Sequence, residues 1–277
     1  MNNDLSKLLS KDEIMEVNKS ARESSNQDIL SNKCNVDDLR FWSALLSGRD
    51  NFSIPVDRLA RDPDEKRVLR SSFYIDEKLY LRLRNLAICE GKSLNTVLLS
   101  AFYVALSASS GQHNIVIGNS LSNEDNGNNS ALDPVPLRVH VQPDISVVSL
   151  IHHIDKLITN IQRYRLCSFD QLNTFLESVE GLSHNPIFQI KFAVKSVDLL
   201  KNEQEKLDLS LIIDDSHEQL NGQFYWAEAV FDATTLDQLV AVYQQVLAAI
   251  VDDKHQPIFT SKGYSRLMSA GVPFGWA

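Results

Sequence analysis

Apolar residues recur along this chain at two spacings, one helical and one alternating, and the switches between them mark the expected elements. Over Val36 to Leu46, the residues Leu39, Trp42, Leu45 and Leu46 fall at helical spacing, with Gly48 as a stop. Phe52 to Pro55 is expected to be extended, because a residue before proline avoids the helical region. Ser71 to Ile75 predicts a strand. From Asp76 to Glu90 the residues Leu79, Leu83, Leu86 and Ala87 share one helical face. Asp76 suits the N-cap there, and Gly91 the C-terminal stop. Cys89 has apolar neighbours on that helix and is expected to fill the core. Ser93 caps a further helix that Gly111 ends. Its Val97, Leu98, Ala101, Phe102, Ala105 and Leu106 make it apolar on most sides, so it is expected to be buried.

The second half of the chain shifts toward strands. His113 to Ser120 has a β-branched centre, and Val135 to Val141 alternates apolar and polar positions. Between them, residues 122–130 are polar and read as a loop. Ser146 opens a helix to Tyr164, and Phe169 to Val179 reads as a short helix. Three strands are expected at Ile187–Lys195, Leu207–Asp214 and Leu220–Phe231, with a polar turn over Asp214 to Glu218. A last helix begins at Thr234 or Thr235 and runs to Val251, with Leu236, Leu239, Val240, Tyr243, Val246 and Leu247 inward. Long helices alternating with strands, followed by a run of strands, predict an α/β sandwich.

The ends differ from this middle. Residues 1–35 are polar, with Leu5, Leu8, Leu9, Val17 and Ala21 on one helical face, and residues 24–27 read as linker. This segment suits a surface helix or a docking helix for another polypeptide. The expected organisation is therefore a polar segment (1–35), a main domain (36–253) and a tail (254–277) without clear period.

Composition narrows the function classes. A net charge of −9 disfavours nonspecific attraction to nucleic acid or anionic membranes. The three cysteines, Cys34, Cys89 and Cys167, show no metal-ligand spacing and read as reduced cytosolic thiols. With no secretory leader pattern and no spanning apolar run, a cytoplasmic location is expected.

Seven stretches resemble, in order, the condensation-domain family of nonribosomal peptide synthetases. Leu39 to Gly48 resembles its "yWxxqLxG" opening, and Ile54-Pro55-Val56-Asp57-Arg58 its "lPtDr". Leu94 to Phe102 is similar to "TlfmvLLAAF", and Ser110 to Gly118 to "SGQxDivvG". Pro136-Leu137-Arg138-Val139 resembles "NtLpLRv", Asn185 to Phe192 "sPLFQvmF", and Phe231 to Leu236 "lFdxxTIxrl". The resemblance implies a chloramphenicol-acetyltransferase-like fold, of which this chain matches the carboxy-terminal lobe. It implies a chemistry of amide formation between two thioesters carried on the phosphopantetheine arms of carrier proteins, with no cofactor bound directly by this lobe.

The chain departs from the family in three places. The reacting histidine motif of the family, HHxxxDG, does not occur. Residues 131–138 lack the glycine, paired phenylalanines and asparagine of "GfFvNTlpLR", and residues 164–172 lack the His-Gln-Asp of "HQDlPFexLv" while keeping Phe169 and Leu172. The resemblance makes Asn119, Pro134, Arg138 and Phe169 candidates for a substrate channel or a lobe interface, with Arg138 favoured as a structural partner within the fold. His152-His153-Ile154-Asp155 imitates HHxxxDG, but its aspartate comes one residue early, the glycine is missing, and the pair falls within an expected helix. His152 and His153 are thus weak catalytic candidates against a solvated helix face. No GxSxG elbow, phosphate loop, dinucleotide fingerprint or metal cluster is present in the sequence.

The expected function is a non-catalytic condensation-like lobe serving a nonribosomal peptide or hybrid polyketide assembly line. It would complete a split condensation domain with an amino-terminal lobe, or dock synthetase and carrier proteins. A lobe of this kind is expected to expose an apolar face for its partner, or to cover it in a homo-oligomer. The alternative is a stand-alone acyltransferase of the same fold, making an amide or ester from a carrier-bound thioester.

Overall fold

The computed structural model describes residues 36–46, 67–120, 134–164, 172, 187–194, 207–215, 220–252, 254, 255 and 257. The described elements, in chain order, are α1 (Val36–Leu46), β1 (Val68–Ile75), α2 (Glu77–Glu90), α3 (Leu94–Ser110), β2 (Asn114–Ser120), β3 (Val135–His140), α4 (Val147–Ile161), a 3-10 turn (Gln162–Tyr164), β4 (Ile190–Val194), β5 (Leu209–Asp214), β6 (Leu220–Ala227) and α5 (Ala233–Asp252). The expected segment 1–35, the extended stretch at Pro55, the loop 122–130, the helix Phe169–Val179 (Leu172 apart) and most of the tail lie outside the described residues.

The helix ends follow from local chemistry. Asp76 accepts the Leu79 amide at 2.7 Å, and Ser93 accepts the Thr96 amide at 3.1 Å, each satisfying a donor that the first helical turn leaves open. Gly91 closes α2 at φ 63°, the left-handed conformation that an L side chain resists.

The chain divides into two compact units. In the smaller, Trp42 donates its indole N–H to the Tyr164 carbonyl at 3.1 Å, and Phe41 stacks on Tyr164 at 4.0 Å. The larger unit holds one mixed six-stranded sheet in the order β1-β6-β5-β4-β2-β3. β2, β4 and β5 run parallel, while β3 and β6 run against their neighbours. Pro136 lies on the edge strand β3, where a residue without an amide hydrogen is tolerated.

Strand alternation gives the sheet two unlike faces. Leu137, Ile117, Phe192, Leu211, Phe224 and Phe73 occupy one face and are all buried. Helices α3 and α5 cover it. Phe102 of α3 lies 5.9 Å from Phe192 and 6.0 Å from Phe224, and Tyr243 of α5 lies 5.6 Å from Phe73. Two fully buried tyrosines each find an acceptor, Tyr103 donating to the Leu137 carbonyl at 2.6 Å and Tyr243 to the Leu98 carbonyl at 3.2 Å. Burial raises both hydroxyl pKa values well above the usual phenol range, so these groups stay protonated donors.

The opposite face is polar. One row across it reads Pro136, Gly118, Lys191, Ser210, Tyr225, Arg70. It is buried at β2 and β4 and exposed at β1. Gly118 is required there because the Phe188 ring lies where a Cβ would project.

Several expectations need correction. Cys89 is exposed, not a core filler. The buried stripe of α2 is Tyr80, Leu83, Leu86 and Ala87, and at 100° per residue Cys89 is turned about 130° from its centre. The expected strand to Phe231 stops at Ala227, where the Val230 amide returns to the Ala227 carbonyl at 2.9 Å and closes a turn. The expected strand from Ile187 begins at Ile190, leaving Phe188 off the ladder and over Gly118. Among the described residues the exposed large hydrophobics are Val68, Tyr74, Leu81 and Ile88, on β1 and α2.

Candidate functional site

The histidine pair lies on α4, as its sequence pattern predicts, and both side chains face outward. His152 Nε2 lies 3.1 Å from a Glu90 carboxylate oxygen, and Lys254 donates to the other Glu90 oxygen at 2.7 Å. One turn on, Lys92 and Asp155 pair at 2.5 Å. The hydrogen bond from Lys254, and then that with His152, holds the Glu90 carboxyl below its ordinary pKa range. His152 is therefore a member of a surface ion network that ties α4 to the end of α2.

His113 offers another pairing, its Nδ1 being 3.0 Å from Ser107 Oγ. Ser107 is buried inside α3, which closes its hydroxyl to an acyl donor. Among the described residues no group of His, Cys, Asp or Glu is placed to hold a metal ion.

Of the channel candidates, Asn119 and Pro134 lie at the carboxyl end of β2 and the start of β3, whereas Arg138 lies further along β3, opposite Val116. Arg138 is half-buried on the polar face and donates through Nε to Asn114 Oδ1 at 2.8 Å. Pro134 immediately precedes β3 and is half-buried. Asn119 points to the helix-covered face, in the row of Val135 and Phe192. Phe169 lies outside the described residues.

Asn119 is the outlier. It is 0% exposed, and among the described residues neither its amide nitrogen nor its oxygen has a hydrogen-bond partner. The next residue, Ser120, is buried on the opposite face with its hydroxyl also unpartnered. An unmet buried polar group costs about 1–3 kcal/mol, so two neighbours of this kind stand out among the described residues. Ser120 was not singled out from the sequence. A serine ending an apolar strand carries no periodic signal, and only burial exposes it. Glu90 was missed for a different reason, because its partners are 62 and 164 residues away.

The comparisons with known proteins agree with this architecture. The model of the Condensation domain family matches residues 21–266, and the chain belongs to that family. It is 27% identical over 225 residues to an N-(5-amino-5-carboxypentanoyl)-L-cysteinyl-D-valine synthase of Amycolatopsis lactamdurans, covering 75% of this chain and 6% of the relative. It is 24% identical over 241 residues to malpibaldin synthetase of Mortierella alpina, covering 79% of this chain and 4% of that protein. The chain thus spans a small part of these relatives. Among solved structures, the X-domain from teicoplanin biosynthesis superposes with a TM-score of 0.70 at 18% identity, over 88% of this chain and 60% of that one. A four-domain nonribosomal peptide synthetase bound to AMP and glycine gives 0.69 at 19% identity, over 86% and 20%. These likenesses establish the chloramphenicol-acetyltransferase-like lobe. No single helix among the described residues is long and apolar enough to cross a membrane.

Proposed function

We propose that this chain is a condensation-like lobe that lacks its own reacting base and works by association within a nonribosomal peptide or hybrid polyketide assembly line. An HHxxxDG-bearing amino-terminal lobe outside these 277 residues supplies the histidine. This lobe completes that half or docks synthetases and carrier proteins, whose phosphopantetheine arms bring the acyl groups. Asn119, Pro134, Arg138 and Phe169 are the residues proposed to border the channel or the lobe interface.

The observation that carries this reading is the fate of the histidine pair. The described lobe matches the family fold, yet its paired histidines sit on the exposed side of α4, with His152 engaged by Glu90. Support for association comes from a neighbour of similar fold, because the X-domain from teicoplanin biosynthesis forms a complex with OxyB.

Sedimentation velocity of this chain mixed with an HHxxxDG-bearing lobe from a condensation domain tests the proposal. A single co-sedimenting species is expected. Separate sedimentation, with this chain self-associating, contradicts it.

A further inference from the structure

The two edges of the sheet are unlike. β3 carries Pro136, a residue without an amide hydrogen, whereas β1 has 8 residues and no proline. Glu228 donates to the Arg67 carbonyl at 2.9 Å, in the register that pairs Val68 with Ala227. Backbone direction alternates along an antiparallel strand, so Leu69, Ser71, Phe73 and Ile75 turn their amides and carbonyls to β6. Val68, Arg70, Ser72 and Tyr74 turn theirs to the open edge, and all four residues are exposed. Among the described residues the one hydrogen bond on that edge comes from Gln244 Nε2 to the Tyr74 carbonyl at 3.2 Å, and a carbonyl oxygen has a second lone pair. The strand is also complementary to itself. Exposed Arg67 and Arg70 lie at its amino end, and exposed Asp76 and Glu77 follow its carboxyl end. Arg67 reaches Glu228 at 3.6 Å and still leaves 75% of its side chain exposed. The two exposed large hydrophobics of β1, Val68 and Tyr74, lie at equal distances along the strand from Ser71.

We propose that β1 pairs with β1 of a second copy of this chain, antiparallel about a two-fold axis at Ser71. In this register Val68 of each copy faces Tyr74 of the other and Arg70 faces Ser72, so about eight backbone hydrogen bonds close the edge. The exposed apolar side chains at the two ends of the strand then cover one another. The basic end of each strand meets the acidic end of the other, whereas a parallel pairing would set like charges together. Opposed residues share a face, so the helix-covered faces of both copies fall on one side of a continuous sheet. The two-fold uses both β1 edges and leaves only the β3 edges with Pro136, so assembly closes at a dimer. The pairing engages β1 alone and is independent of the condensation-lobe reading.

Sedimentation velocity of the full chain over a wide range of concentration tests the pairing, and a concentration-dependent dimer is expected. Ser72→Pro removes an amide aimed at the second copy and leaves the bonds to β6 in place. It should weaken the dimer roughly tenfold or more, with the near-ultraviolet circular dichroism of the fold unchanged. Should that variant fold poorly, Tyr74→Lys, at an exposed position, sets an ammonium beside Arg70 of the second copy and should also weaken the dimer. Ser71→Cys reads the register. Opposed residues of a non-hydrogen-bonded antiparallel pair have Cα atoms about 4.5 Å apart, within disulfide reach, so mild oxidation should cross-link this variant more than the unaltered chain. A monomer at every concentration, a dimer that Ser72→Pro and Tyr74→Lys leave intact, or no added cross-linking overturns the proposal. So does a monomer that binds an HHxxxDG lobe and loses it in Ser72→Pro, a result that gives the edge to that lobe. A β1 dimer that does not bind an HHxxxDG lobe upholds the pairing and loses only the split-lobe reading.

Discussion

The outer face of α4 and the carboxyl end of β2 present opposite cases of candidate chemistry. The first carries His152 and His153, the residue type a reader of sequences looks for, yet His152 is half-exposed and bound into an ion network with Glu90 and Lys254. The second carries an asparagine and a serine that no catalytic pattern selects, and both are buried with their side-chain polar atoms unmet. Residue identity drew attention to the first region, whereas burial and pairing single out the second. A polar group that has paid its desolvation without gaining a partner is the stronger sign of a missing ligand or partner.

Substitutions can sharpen that contrast. The largest effect is expected beside β2's end, at Gly118→Ala. The new methyl meets the Phe188 ring, and overpacking of this kind costs about 1–3 kcal/mol. Urea denaturation should show the loss, with Phe188→Leu in the same chain recovering part of it. Asn119→Leu is expected to leave the free chain unchanged or to raise its stability by about 1 kcal/mol, since an apolar residue of similar shape removes two unmet polar atoms. A clear destabilisation would mean that the amide is already satisfied in solution.

The α4 region should respond to pH. The folded state depresses the Glu90 pKa below 4.5, so its contribution is fully present above that value and is lost as pH falls through the folded-state pKa. Glu90→Gln should flatten the acid limb of a stability-against-pH curve by lowering stability near neutrality while changing little at low pH. An unaltered acid limb would show that the network does not form. The smallest effect is expected for the double substitution His152→Ala, His153→Ala. His152 contributes one exposed pair and His153 is exposed, so the cost should be below about 1 kcal/mol by thermal or urea denaturation.

How much of this was legible in the sequence depended on whether the controlling interactions were local. Asp76, Gly91, Ser93 and Gly111 cap α2 and α3 where their chemistry predicts, because a cap acts within one helical turn. The face of α5 with Leu236, Leu239, Val240, Tyr243, Val246 and Leu247 is buried as its period requires. The strand limits at Ile190 and Ala227 were not legible, since each is set by a turn or by a ring folding onto another strand. The order of the sheet was not legible, because alternation reveals a strand's faces but not its neighbours. The candidate site was half legible. Asn119 and Arg138 were selected by position in family-like motifs, and the structure shows that they occupy opposite faces of the sheet.

The central claim is that this lobe associates with a reacting histidine and does not supply one. The most direct measurement is amide formation between two aminoacyl groups loaded on carrier proteins, followed by mass spectrometry with this chain alone and with an HHxxxDG lobe added. We predict no product from the chain alone, and product from the mixture that disappears when the added lobe's histidines are replaced but persists in the His152→Ala, His153→Ala chain. Turnover by this chain alone that is abolished by His152→Ala, His153→Ala would contradict the account.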